Sequence, residues 1–199
     1  MAMGEAAVTR RVTWAIEDGS GVDTAEVTLD GDRLTAIGRA TNVDPEPYEV
    51  RYEVLTGSQF ITERLVVRVI RGGAERQLTL DRSATGGWTA ALDGAPVDLP
   101  DLGDALDCDL GRCPATNSMP VLRERLLGRH EPVDFVMALV SVPDLAVHRS
   151  RQRYVPLATD AAGRRHIRFE SLDSDFRSEL TFDRDGLVID YPQLAKRTS

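Results

Sequence analysis

The chain has little of the equipment by which enzymes and membrane proteins usually declare themselves. No run approaches the roughly 18 apolar residues of a membrane span. The stretch from Met1 to Arg11 has no apolar core ahead of a cleavage site, so no signal peptide is expected. Positive charge is scarce: 24 Lys and Arg stand against 32 Asp and Glu, a formal net charge of −8. That balance argues against nucleic acid, which demands concentrated positive charge, and against electrostatic docking on anionic membranes. Only two cysteines occur, Cys108 and Cys113, and their spacing is not that of a Cys-x-x-Cys motif. His130, His148 and His166 fall on different predicted elements, so no metal site is expected. The chain has no Gly-x-Ser-x-Gly, no phosphate-cradling glycine loop and no His-Glu-x-x-His. The expected compartment is the cytoplasm, where both thiols are reduced.

What is present is alternation. Over 199 residues, 42% hydrophobic and 28% charged, apolar and polar side chains trade places at a period of two. The clearest case is Tyr48 to Leu55, with Tyr48, Val50, Tyr52 and Val54 on one face and Glu49, Arg51 and Glu53 on the other. Similar strands are expected near 12–16, 25–29, 34–38, 60–70, 75–80 and 88–92, and again across 133–142, 145–157, 165–172, 176–182 and 187–191. Asp30-Gly31, Arg71-Gly72-Gly73 and Asp183 to Gly186 read as turns, and Asp44-Pro45-Glu46-Pro47 as a loop. About a dozen strands with one short helix define an all-β protein, expected as a single domain over 1–199.

Two segments resemble one another. Arg51 to Leu55, followed by Phe60 and Glu63, parallels Arg168 to Leu172, followed by Phe176 and Glu179. Leu78 to Arg82 likewise parallels Leu180 to Arg184. The offsets of the two pairs differ, and an extra strand pair near Val66 to Glu75 would absorb the difference. The expectation is two related antiparallel half-sheets, about 11–105 and 130–197, forming a curled sheet or barrel-like domain. Each half needs the other to cover its apolar face. The link, 106–128, would then lie near the seam.

That link is where the alternation breaks. If Leu106 to Leu110 is a strand, Leu106, Cys108 and Leu110 point one way. Asp107 and Asp109 point the other, toward solvent or a polar crevice. A carboxylate pair could bond sugar hydroxyls, share a proton or hold a hard cation; it could equally be a solvated acidic face. Pro114 to Pro120 reads as a rigid polar loop in which Asn117 or Ser118 caps a helix. Pro120 would sit in the first turn, with Val121, Leu122, Leu126 and Leu127 as an apolar stripe and Gly128 as the stop. Elsewhere Trp88, Tyr52 and Tyr154 could stack on a sugar or line a cavity. Arg64 and Arg123 could anchor an anionic head group; the alternative is that such aromatics fill core and such arginines are merely solvated.

At these residues the sequence resembles the "Putative glycolipid-binding" family, formerly a domain of unknown function. The family pattern falls on Asp107, Asp109, Pro114, Thr116, Asn117, Pro120 and Arg123, with Cys113 where the family usually has threonine. The resemblance continues through Val142 to Leu145, Gln152 to Tyr154 and Gly186 to Pro192, and includes Trp14, Tyr52 and Glu63. It implies a β-barrel-like fold of two related halves, similar in shape to bacterial lipoprotein carriers, and a glycolipid or other amphiphilic small molecule as partner. No cofactor is expected.

Three functions follow from this reading. The first is a binding protein whose two halves enclose an apolar cavity, with a polar rim near Asp107, Asp109, Thr116 and Asn117. The second is an enzyme acting on a small or lipid-like substrate through Asp107 and Asp109, although no partner base or nucleophile stands out. The third is a structural or interaction module with no ligand, whose sign would be a filled interior.

Overall fold

A computed structural model describes residues 6–43 and 46–199. Residues 1–5, the start of the N-terminal stretch considered above, and Asp44 and Pro45 of the expected loop lie outside the described residues.

Fifteen strands among the described residues form one sheet. The first eight are β1 (Val8–Ile16), β2 (Gly21–Asp30), β3 (Arg33–Asn42), β4 (Tyr48–Thr56), β5 (Thr62–Arg71), β6 (Ala74–Arg82), β7 (Trp88–Leu92) and β8 (Ala95–Val97). The rest are β9 (Asp107–Leu110), β10 (Val133–Val140), β11 (Val147–Pro156), β12 (Arg165–Ser171), β13 (Arg177–Phe182), β14 (Val188–Tyr191) and β15 (Ala195–Arg197). Neighbours pair in the order β8-β7-β6-β5-β4-β3-β2-β1-β15-β14-β13-β12-β11-β10-β9. Each meander is antiparallel, as short turns permit. The exception is β9, which pairs with β10 in parallel because the whole link separates them.

The architecture is all-β with one short helix, as the alternation predicts: a single curled sheet that is not closed into a barrel. The meanders join where β1 meets β15, at Trp14↔Arg197 through Ile16↔Ala195. Trp14 is fully buried beside that seam, its indole Nε1 donating to the Val188 carbonyl at 2.9 Å. The expected extra strand pair at Val66 to Glu75 is instead the outer part of the β5–β6 hairpin. The strand β8 has no signature in the sequence, because Pro96 at its centre suits only an edge.

The link packs on the inner side of the β1–β15 seam, in one core with Trp14 and Ala195. A curled sheet leaves its concave apolar face open, and the link covers that face. The Thr62 amide of β5 donates to the Leu106 carbonyl at 3.0 Å, and the Cys108 amide donates to Thr62 Oγ1 at 2.9 Å. The link then turns inward through a 3-10 turn at Pro114–Asn117 and α1 (Ser118–Arg123). Its side chains belong to both cores: Cys108, Leu110, Cys113, Ala115 and Met119 pack with Val12, Trp14, Val27 and Leu65. Val121 and Leu126 pack with Phe135, Tyr154, Ile167 and Phe182. The helix is shorter than its apolar stripe suggests, since Arg125 adopts a left-handed conformation (φ 51°) and breaks it before Gly128.

One glycine sets the packing of the first half. A Cβ on Gly38 would lie 2.1 Å from Cζ of Tyr52, so the phenol ring rests directly against the β3 backbone. The φ of Gly38 is ordinary, which makes the restriction steric rather than conformational. Gly38→Ala is therefore expected to lose about 1–3 kcal/mol through overpacking, read from urea unfolding. Unchanged stability would contradict this packing.

Candidate functional site

Within the link, β9 carries the two aspartates on one face as its alternation requires, but that face is largely covered. Asp107 is fully buried and Asp109 half-buried, because α1 and β11 close over them. Asp107 Oδ1 accepts from Arg123 Nη1 at 2.5 Å, in an ion pair whose side chains are 1% and 7% exposed. Arg123 also lies over the ring of Phe135, 5.5 Å from its centroid. Asp109 accepts from Thr116 Oγ1 at 2.9 Å and from Gln152 Nε2 at 2.7 Å. Asn117 donates to the hydroxyl of Tyr154 at 2.9 Å instead of capping the helix. Burial raises the pKa of both carboxyls; Arg123 opposes this at Asp107, and Gln152 and Thr116 oppose it at Asp109.

The structure thus brings together six of the expected site residues: Asp107, Asp109, Thr116, Asn117, Arg123 and Tyr154. Asp109, Thr116, Asn117 and Tyr154 join through Gln152 in a hydrogen-bonded network, and Asp107 and Arg123 form a separate buried pair, so neither group is a rim. Gln152 belongs to the same network; its place beside Tyr154 in the family pattern was the available signal. The ring of Tyr154 packs edge-on between Phe135 and Phe169, at centroid distances of 5.3 and 5.5 Å. The space between the halves, expected as an apolar cavity, is occupied by link side chains. A gap at its edge, lined by Tyr52, Leu110 and Cys113, has a volume of about 20 Å³, room for one water.

Tyr52, Arg64 and Trp88 stand apart from this network. Trp88 is half-buried, donates to the Ala105 carbonyl at 3.1 Å, and lines a groove of about 470 Å³ with Pro96, Leu99 and Pro100. Arg64 is exposed and donates to Asp81 at 2.6 Å. Tyr52 points into the core, where its hydroxyl donates to Asp23 at 3.0 and 3.1 Å. Asp23 is fully buried, and burial pushes its carboxyl from an ordinary value near 3.8 up to about 7 despite the bond from Tyr52. Cys113 faces the same carboxyl, and its thiol is raised well above the usual range, chiefly by burial. Cys108 is pushed up to about 12 for the same reason. Both cysteines are free and buried, so neither is a thiolate at neutral pH.

Above Tyr52, on the opposite face of the sheet, lies a groove of about 720 Å³. Gly38 and Tyr52 contribute to its floor, and β1 to β5 supply Arg11, Glu26, Arg39, Arg51, Glu53 and Arg68. Val22 and Ile37 also line it, exposed at 42% and 56%. Sequence reasoning placed Arg51 and Glu53 on the polar face but missed the groove. Period-two alternation assigns faces and is silent about which strands lie side by side.

The curled sheet is filled by its own link and carries an amphiphilic groove on its outer face. The chain belongs to the "Putative glycolipid-binding" family, whose model matches residues 11–197. It is also similar to a protein of the DUF1089 family from Pseudomonas aeruginosa, solved by crystallography. The two share 28% identity with a TM-score of 0.72, covering 89% of this chain and 92% of the other. No curated protein matches the sequence. The family's description supports a binding role.

Two outcomes test this electrostatic account. Arg123→Met leaves Asp107 buried without its cation and should cost about 3 kcal/mol or more, while Asp107→Leu combined with Arg123→Met should recover most of it. A loss below about 1 kcal/mol in the single variant would show that the pair does not hold the link. Asp23 binds its proton more tightly when folded, so its contribution is complete below about pH 4 and disappears as pH rises through about 7. Stability should therefore fall over that window by up to about 4 kcal/mol from this group. Asp107 and Asp109 act in the same direction, so the difference between wild type and Asp23→Asn isolates the Asp23 share. Parallel stability–pH curves for the two proteins would refute it.

Proposed function

We propose that the protein binds a glycolipid or other lipid-like small molecule, without catalysing a reaction on it, and that the ligand lies in the groove on the outer face of β1 to β5. The groove carries this reading. At about 720 Å³ it matches the size of small-molecule sites, and it combines exposed apolar side chains with several charged groups. The family's description points to the same class of ligand.

The network around Asp107 and Asp109 supports the non-catalytic part. Asp107 is enclosed and paired with Arg123, and both oxygens of Asp109 already accept hydrogen bonds. Neither carboxyl lines the outer groove. A filled interior is also what a ligand-free module would have; the outer groove favours binding over that reading. The two free buried thiols fit a reducing compartment and support cytoplasmic residence as part of the same proposal.

Native mass spectrometry of protein purified from its own host is expected to show a retained amphiphile. A lipid extract from that host should raise the melting temperature of delipidated protein, because a ligand that binds only the folded state stabilises it. No bound mass together with no thermal shift would refute the proposal.

A further inference from the structure

The groove has a charge pattern that composition does not foretell. Strand register sets Arg39 of β3 directly opposite Arg51 of β4, and Arg51 directly opposite Arg68 of β5. Like charges facing each other across a ladder are destabilising, yet three arginines stand in one cross-strand row on a chain of net charge −8. A single carboxylate serves two of them: Glu49 accepts from Arg39 Nη2 at 2.5 Å and from Arg51 Nε at 2.6 Å. Among the described residues Arg68 donates only to the neutral Gln77, at 2.6 Å. The Nη nitrogens of Arg51 and Arg68 donate to no described residue, and Arg11 makes no ion pair among the described residues.

The groove's carboxylates lie elsewhere. Glu26 and Glu53 flank Ile37 in the adjacent row, one step of two residues along the strands. The exposed apolar side chains Val22 and Ile37 belong to β2 and β3. The groove is therefore polarised by rows: Arg39, Arg51 and Arg68 form a basic row, and the adjacent row alternates Glu26 and Glu53 with the apolar Ile37 and Val66.

We infer that the ligand of this groove is an amphiphile with an anionic head group of the phosphate, sulfate or carboxylate class. The head group lies between Arg51 and Arg68, and the chain runs along the adjacent row over Val66 and Ile37. Guanidinium forks bind such oxyanions through paired donors, and the anion relieves the repulsion within the arginine row. This rests on the binding reading above and adds the chemistry of the head group to it.

The test compares lysophosphatidic acid with the monoacylglycerol of the same chain, each below its micelle concentration, by titration calorimetry. The two probes differ only by the phosphate. Wild type should bind lysophosphatidic acid roughly ten- to a hundredfold more tightly, and added salt should erode that advantage. Arg51 and Arg68 are exposed, so a double Arg51→Gln, Arg68→Gln variant should keep its melting temperature. It should bind lysophosphatidic acid no better than monoacylglycerol. Equal affinities in wild type, or an undiminished preference in the variant, would overturn the anionic head group while leaving amphiphile binding in place. Failure of both probes to bind wild type would remove the binding reading and this inference together. Inorganic phosphate binding as tightly as lysophosphatidic acid would show a simple anion site. Sedimentation with phosphatidylglycerol vesicles without binding of the monomeric probe would show surface docking. Either result overturns the inference.

Discussion

A sheet that curls must cover its concave face, and every other feature of this protein depends on how that is done. Two packed half-sheets could cover each other directly. Here the cover is the chain between them. The segment from Leu106 to Gly128 enters at Thr62, places Cys108, Leu110, Cys113 and Met119 in one core, and sends Val121 and Leu126 into the other. Burial of these apolar side chains supplies the driving force. The ion pair of Asp107 with Arg123 supplies the register, because any displacement of the link would leave a charge buried without its partner.

This arrangement moves the site of interaction outward. An interior filled by Trp14, Met119, Leu126, Tyr154 and Phe182 offers no volume to a ligand the size of a lipid. The outer face of β1 to β5 does, in a groove whose floor is shaped by the same packing. Gly38 admits the Tyr52 ring to the backbone, and Tyr52 in turn satisfies the buried Asp23. Inner and outer faces are thus coupled through one strand position. The core half of that contact holds the buried Asp23, and the groove half is open to solvent.

Much of the fold was legible in the sequence. The alternation from Tyr48 to Leu55 assigned both faces of β4 correctly, and Val50, Tyr52 and Val54 are buried as it requires. Alternation also placed Cys108 and Leu110 opposite Asp107 and Asp109. It could not say that β9 is covered on both sides, so a predicted polar crevice became an enclosed network. The helix stripe was readable, but its break at Arg125 depends on a left-handed backbone conformation that arginine does not announce. The groove was the least legible feature. Arg39, Arg51 and Arg68 lie far apart in sequence, and only the register of three strands makes them neighbours.

The central claim is that ligand contacts the outer groove while the link stays closed. Amide chemical-shift mapping of the isotopically labelled protein with a bound amphiphile tests this directly. The account predicts perturbations confined to β2 to β5, centred on Ile37, Arg51 and Arg68, with the amides of 107–123 and Tyr154 unmoved. Shifts centred on 107–123 would place the ligand inside the curl and contradict it.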